Sequence, residues 1–173
     1  DQRLRAFFQQ LALPDKQVSA IDTEKALLSP ERIEKVVEYV LEHFDQKTRR
    51  NETYKLNDRR LAGFNSLFAT ASIEAAKRYY VAFQKAQADS LPDKKLKIGI
   101  IYSYAPNEED PDGLLAEEGF ETESLDKSSR DFLESAIGDF NKMFGTSWDT
   151  SSDNFQGYYK DLAMRLKNRE IDI

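Results

Sequence analysis

Thr70 and Ser72 stand where the spacing of apolar residues changes. Before them, "FNSLFATA" (64–71) has the composition of a short buried strand. After them, "IEAAKRYYVAFQKAQ" (73–87) places Ile73, Ala76, Tyr80 and Phe83 on one helical stripe. Hydroxyls at such a joint can serve two ends. A helix start leaves backbone N–H groups unpaired and carries the positive end of the helix dipole, so the joint can receive a phosphate. Equally, Ser72 can simply cap its own helix. The second concentration of chemistry is "KTRRNETYKLNDRR" (47–60), with Lys47, Arg49, Arg50, Lys55, Arg59 and Arg60 against only Glu52 and Asp58. A strip of this kind follows a nucleic-acid backbone or forms a solvated connection, and the residues alone leave both readings open.

Several chemistries are absent. There is no G-x-x-x-x-G-K-[ST] loop to cradle a triphosphate, and no G-x-G-x-x-G follows either strand-like run. His43 is the sole histidine, which excludes a two-histidine metal site; beside Phe44 it reads as a residue near a helix end. No G-x-S-x-G elbow supports a Ser-His-Asp triad. The lack of cysteine excludes disulfides, thiolate zinc sites and Cys nucleophiles. Glu108, Glu109, Asp110 and Asp112 are oxygen-ligand types, but they lack the Asp-x-Asp-x-Asp-Gly order of an EF-hand and read as a solvated surface loop. A net charge of −6 argues against a uniformly basic nucleic-acid coat, though not against a local basic strip. No apolar run approaches the roughly 18 residues of a membrane span. The opening "DQRLRAFF" and the closing "REIDI" read as the ends of a piece of something larger.

The positioning elements follow from periodicity. "DQRLRAFFQQLAL" (1–13) predicts a short helix stopped by Pro14, and a weak helical pattern runs from Thr23 to Leu28. Ser29 and Pro30 open a strong helix, in which Ile33, Val36, Val37, Val40, Leu41 and Phe44 make one buried stripe. "LKIGIIYSY" (96–104) predicts a second strand; with 64–71 and the helix between them it forms a βαβ unit, hence a parallel pair. Residues 105–126 carry nine acidic and no basic side chains and predict a long surface loop. Two amphipathic helices close the chain. One is a Ser-capped helix over 128–145 ended by Gly145; the other spans 155–170, with Phe155, Tyr158, Tyr159, Leu162, Ala163 and Leu166 inward.

Five segments in order, "EHFDQKTRR", "GFNSLFATASIEAAKRYY", "LKIGIIYSYAPNE", "SSRDFLESAIGDFNKMFGT" and "FQGYYKDLAMRLKNREIDI", resemble the R (restriction and motor) subunit of type I restriction enzymes. The resemblance runs from about Leu28 to Ile173. It implies a parent with a PD-(D/E)XK nuclease domain, two RecA-like helicase domains and a helical C-terminal region. Such a parent translocates double-stranded DNA with ATP and Mg and cleaves it as an endonuclease. This chain resembles the stretch leading into the second RecA-like domain. That implies an α/β fold of the P-loop NTPase type, with a short parallel sheet and several amphipathic helices. Residues 1–60 would be a helical lead-in, and 61–173 the first part of the domain, ending just before the strand expected to carry motif V.

"FNSLFATASIEAAKRYY" then falls where such motors place motif IV. The implied DNA-backbone contacts are Thr70 and Ser72 at the helix mouth and Tyr102 and Ser103 at the same sheet edge. Lys47, Arg49, Arg50, Arg59 and Arg60 add nonspecific attraction. No catalytic or metal residue is expected here, nor ATP or Mg on this piece alone. The implied partners are double-stranded DNA and the methyltransferase and specificity subunits, in the cytoplasm of a bacterium or archaeon. The rival reading is a protein-interaction module without nucleic-acid contact, using the acidic loop and the aromatic helices. A small-ligand α/β enzyme is a weaker rival, since no nucleophile, base or nucleotide loop is apparent.

Overall fold

The computed structural model describes residues 23–56, 58–102 and 125–173. The expected helix over 1–13, Ser103 and the acidic run 105–124 lie outside the described residues. In chain order the elements are α1 (Thr23–Leu27), α2 (Pro30–Thr48), β1 (Thr53–Leu56), β2 (Arg59–Ala62), α3 (Ile73–Ala86), α4 (Lys127–Phe144) and α5 (Ser152–Lys167).

The helices form where apolar spacing and end signals agree. Ser72 caps α3 with its hydroxyl, which accepts the Ala75 N–H at 3.2 Å. Gly145 ends α4 in the left-handed region at φ 68°, where a side chain would be strained. The start of α4 differs from expectation: Asp126, not a serine, is the cap, accepting the Ser129 N–H at 3.1 Å. Hydrogen bonding to Ser129 holds the Asp126 carboxyl below its ordinary value. Ser29 occupies the cap position of α2 but makes no side-chain cap bond; Pro30 at the helix start leaves one fewer N–H to satisfy.

Two apolar clusters meet along α3. On one side Ala75, Tyr79 and Phe83 pack with Ile33, Val37 and Phe44 of α2 and with Leu96 and Ile173. On the other, Tyr80 joins Ile100 and Tyr102, Leu133, Ile137 and Phe140 of α4, and Phe155 and Tyr158 of α5. Thus α2, ahead of residue 60, shares a core with α3, behind it. Leu133, Ile137, Phe155 and Tyr158 are completely buried, and each such side chain stabilises the fold by about 1.5–3 kcal/mol relative to exposure.

The expected parallel sheet is where the structure departs most from expectation. Among the described residues the one regular sheet is an antiparallel hairpin, β1 against β2, built from the basic segment. Residues 64–70 and 96–102 have no regular secondary structure and form no ladder with each other. What joins them is the C-terminal segment. The Ile173 N–H donates to the Lys97 carbonyl at 3.2 Å, and the Gly99 N–H donates to the Ile173 carbonyl at 2.9 Å. One residue bonded to both flanks of another, here 97 and 99 about Ile98, is the bonding pattern of a parallel pair. On its other side Asp172 accepts the Ser66 N–H at 2.8 Å. A parallel arrangement is therefore present as a single bonded step, with 171–173 between the two runs, rather than as a direct βαβ pairing.

Packing fixes the second run against α5. The Tyr158 hydroxyl donates to the Ile100 carbonyl at 2.6 Å in a fully buried position, and burial raises its pKa. Gly157 lies under the Trp148 ring; a Cβ there would collide with Cζ3. Tyr158→Phe should destabilise the fold by about 1–3 kcal/mol, because it leaves the Ile100 carbonyl buried without a donor; chemical denaturation measures it. Gly157→Ala should cost about 1–3 kcal/mol through overpacking, with Trp148 fluorescence altered in the folded state.

Candidate nucleic-acid interface

The basic segment folds because its alternate residues have different tasks. β1 and β2 pair in the register Thr53–Ala62, Tyr54–Leu61, Lys55–Arg60 and Leu56–Arg59. Strand alternation sets Thr53, Lys55, Arg60 and Ala62 on one face, and all four are exposed. Tyr54, on the opposite face, is half-buried and stacks on Phe64 with ring centroids 5.0 Å apart. Asp58, just before β2, lies in the left-handed region at φ 63°, which its short polar side chain tolerates.

The hairpin is tied to the body at its base. The Gly63 N–H donates to the Glu52 carbonyl at 2.8 Å, and the Phe64 N–H donates to Thr48 at 2.7 Å. Gly63 sits at φ 57°, where a Cβ would also lie 2.6 Å from the Arg50 backbone, so glycine is required. Arg169, beyond α5 and itself at φ 62°, reaches back to the hairpin. Its Nη2 donates to the Tyr54 hydroxyl at 3.0 Å, its Nη1 donates to the Asn65 side chain, and its guanidinium lies over the Phe64 ring. No reading of the sequence singled out Arg169. Its partners are 104 and 115 residues away, so no local pattern could have marked it.

The structure separates the expected contact residues into different environments. Lys47, Arg49, Lys55 and Arg60 are exposed. Arg49 lies 3.5 Å from Glu52 and Lys55 lies 2.9 Å from Asp58; these are exposed ion pairs that water and salt readily loosen. Arg59 is the first residue of β2. Arg50 is turned inward: it lies over the Phe44 ring and within 3.6 Å of Asp172, whose carboxylate also accepts the Lys97 N–H at 2.8 Å. Its charge is engaged in holding the C-terminal segment.

The helix-mouth residues are likewise engaged in structure. The Ser72 hydroxyl caps its own helix, and the Thr70 hydroxyl donates to the Ser72 carbonyl at 3.2 Å. Tyr102, expected at a ligand-binding edge, is a core residue. Its ring is buried, its hydroxyl donates to the Ser129 carbonyl at 2.6 Å, and burial pushes its pKa up to about 12. Ser103 lies outside the described residues. Of the two candidate regions, the basic segment presents accessible charge and the helix mouth does not.

An open hollow of about 680 Å³ lies beneath the hairpin base, between the end of α2 and the C-terminal segment. Arg50, Lys94 and Arg169 line it, opposed by Asp45, Asp93 and Asp172, so it has no single sign of charge to select an anion. Among the described residues no three His, Asp or Glu side chains are placed to hold a metal ion. The sequence carries no G-x-x-x-x-G-K-[ST] phosphate loop. Among the described residues no helix is long and apolar enough to cross a membrane.

Comparison with known proteins identifies the family. Residues 62–173 match the family described as type I restriction enzyme subunit R domain 3. A type I restriction enzyme endonuclease subunit of Staphylococcus aureus strain COL is 30% identical over 158 residues, covering 90% of this chain and 14% of that protein. A second endonuclease subunit, from Staphylococcus saprophyticus, is 32% identical over 132 residues, covering 76% of this chain and 12% of its own length. The chain thus spans about one-seventh of the length of these relatives. By the family match, by these identities and by the helix-rich fold that carries them, the chain belongs to the type I restriction enzyme R subunits.

Proposed function

We propose that this chain is part of the second RecA-like motor domain of an R subunit and contributes contacts to the backbone of double-stranded DNA. The observation that carries the reading is the exposed basic group formed by the end of α2 and the hairpin: Lys47, Arg49, Lys55 and Arg60 project from an otherwise acidic chain. The single parallel step of 173 between 97 and 99, flanked by helices, supports the RecA-like assignment for 61–173. The parent would be an ATP- and Mg-dependent DNA translocase and site-specific endonuclease in a bacterial or archaeal cytoplasm. It would work with methyltransferase and specificity subunits. The nucleotide and nuclease sites belong to other parts of that longer protein, and this piece is not catalytic alone.

A second reading, docking on other subunits without nucleic-acid contact, draws on exposed apolar side chains: Leu67 is 86% exposed ahead of α3 and Met164 60% exposed on α5. Titration separates the two. The chain should bind a generic duplex weakly, with Kd of about 10⁻⁴–10⁻⁶ M at physiological salt, and lose affinity steeply as salt rises. Lys47→Glu with Arg49→Glu should weaken it further; Arg50 is left intact because it holds Asp172. Tight capture of the methyltransferase core with no duplex binding even at low salt would favour docking and reject the DNA reading.

A further inference from the structure

Lys55 and Arg60 are direct cross-strand partners on the outer face of the hairpin. Partner side chains on one face of a sheet start from Cα atoms about 4.5–5.5 Å apart, and like charges so placed repel. The compensation within the chain is slight. Lys55 has Asp58, whose side chain is 94% exposed, and among the described residues no carboxylate pairs with Arg60. The face is completed by Thr53 and Ala62, which are short and leave both cations clear to reach outward.

On the opposite face Tyr54 is tied to the body. It is stacked on Phe64 and bonded by Arg169, and the base is closed by the Gly63 and Phe64 amides. A repelling pair on a ribbon tied at Tyr54 and at its base is an arrangement relieved from outside, by a ligand carrying closely spaced negative charges.

We propose that the outer face of the β1–β2 hairpin is a phosphate-backbone site for duplex DNA, with Lys55 and Arg60 engaging phosphates side by side. This rests on the DNA reading above and narrows it to one element. Lys55 was no part of the contact set expected from the family resemblance; only the strand register places it beside Arg60. The chemistry points to backbone rather than base recognition. The exposed face carries no Asn or Gln to read adenine edges, and two charged tips flanked by Thr53 and Ala62 suit sequence-independent contact. A two-stranded ribbon is also slim enough to lie along a major groove about 12 Å wide.

The test uses the full-length subunit and a fluorescent duplex of arbitrary sequence, with Kd measured across a salt series. Lys55→Gln with Arg60→Gln should weaken binding about tenfold or more at low salt. It should also reduce the magnitude of the log Kd against log salt slope by about 1.8, two phosphate contacts at about 0.9 each. Lys55→Arg with Arg60→Lys should keep the wild-type slope. Lys35→Gln with Lys142→Gln, which removes exposed charge elsewhere, should leave affinity unchanged. Melting of the Gln variant should stay at or above wild type, since a repulsive pair is removed. A wild-type slope in the Gln variant, with the wild-type subunit binding duplex, overturns the hairpin site and leaves the broader DNA reading standing. Absence of duplex binding by the wild-type subunit overturns both.

Discussion

The three residues Ile171–Ile173 are the constraint on which the remaining structure depends. They lie between the runs 64–70 and 96–102, which form no ladder with one another, and they satisfy backbone groups on both: Ser66 on one side, Lys97 and Gly99 on the other. Buried backbone N–H and C=O groups without partners are costly, so in a body made otherwise of helices this narrow seam decides how the segments before and after α3 can approach. The Asp172 side chain adds to it, accepting the Lys97 amide and facing Arg50. Ile171 and Ile173 are buried in the two separate apolar clusters. The same three residues therefore join the hydrogen-bonded seam to both halves of the core.

The hairpin depends on the seam at one remove. Arg169 leaves α5 in a left-handed conformation just ahead of Ile171, and that turn lets its guanidinium reach Tyr54, Asn65 and Phe64. Arg50 leaves α2 and reaches Asp172. Two arginines thus link the basic segment to the C-terminal segment through structural contacts, while Lys47, Arg49, Lys55 and Arg60 remain at the surface. A charge-rich stretch divides in this way because a guanidinium over an aromatic ring, or beside a partly buried carboxylate, is held by several contacts at once. A cation on the outer face of a ribbon has only water and weak ion pairs.

The helices were legible from spacing. Every marked stripe residue of α2, α3, α4 and α5 is buried or partly buried, although α3 also buries Ala75 and Tyr79, which the spacing did not mark, and Ser72 and Gly145 end their helices as their chemistry demands. The hairpin was not legible. "TYKLNDRRLA" carries too many cations for a strand judged by apolar alternation, and its stability comes from Phe64 and Arg169 at its base. The candidate site was legible in part. The basic segment stood out by composition, yet its division into outward and inward charges depends on strand register and on residues more than a hundred positions away. Tyr102 looked like an edge residue because strand ends in α/β folds gather ligands. Its hydroxyl instead meets the Ser129 carbonyl, a contact set by where α4 packs.

By itself, then, the sequence determined helices α2 to α5, most of their inner faces, the Ser72 and Gly145 ends, the absence of cysteine and nucleotide-loop chemistry, and the kinship with R subunits. These depend on residues within a turn or two of each other, or on types that either occur or do not. The tertiary structure alone decided that the basic segment is a ribbon, that Lys55 and Arg60 stand together, that Arg50 and Arg169 face inward, and that 171–173 bridge the runs 64–70 and 96–102. Each of these depends on which distant backbone or ring completes a hydrogen bond or a packed face. Spacing along the chain cannot specify that until the helices have packed.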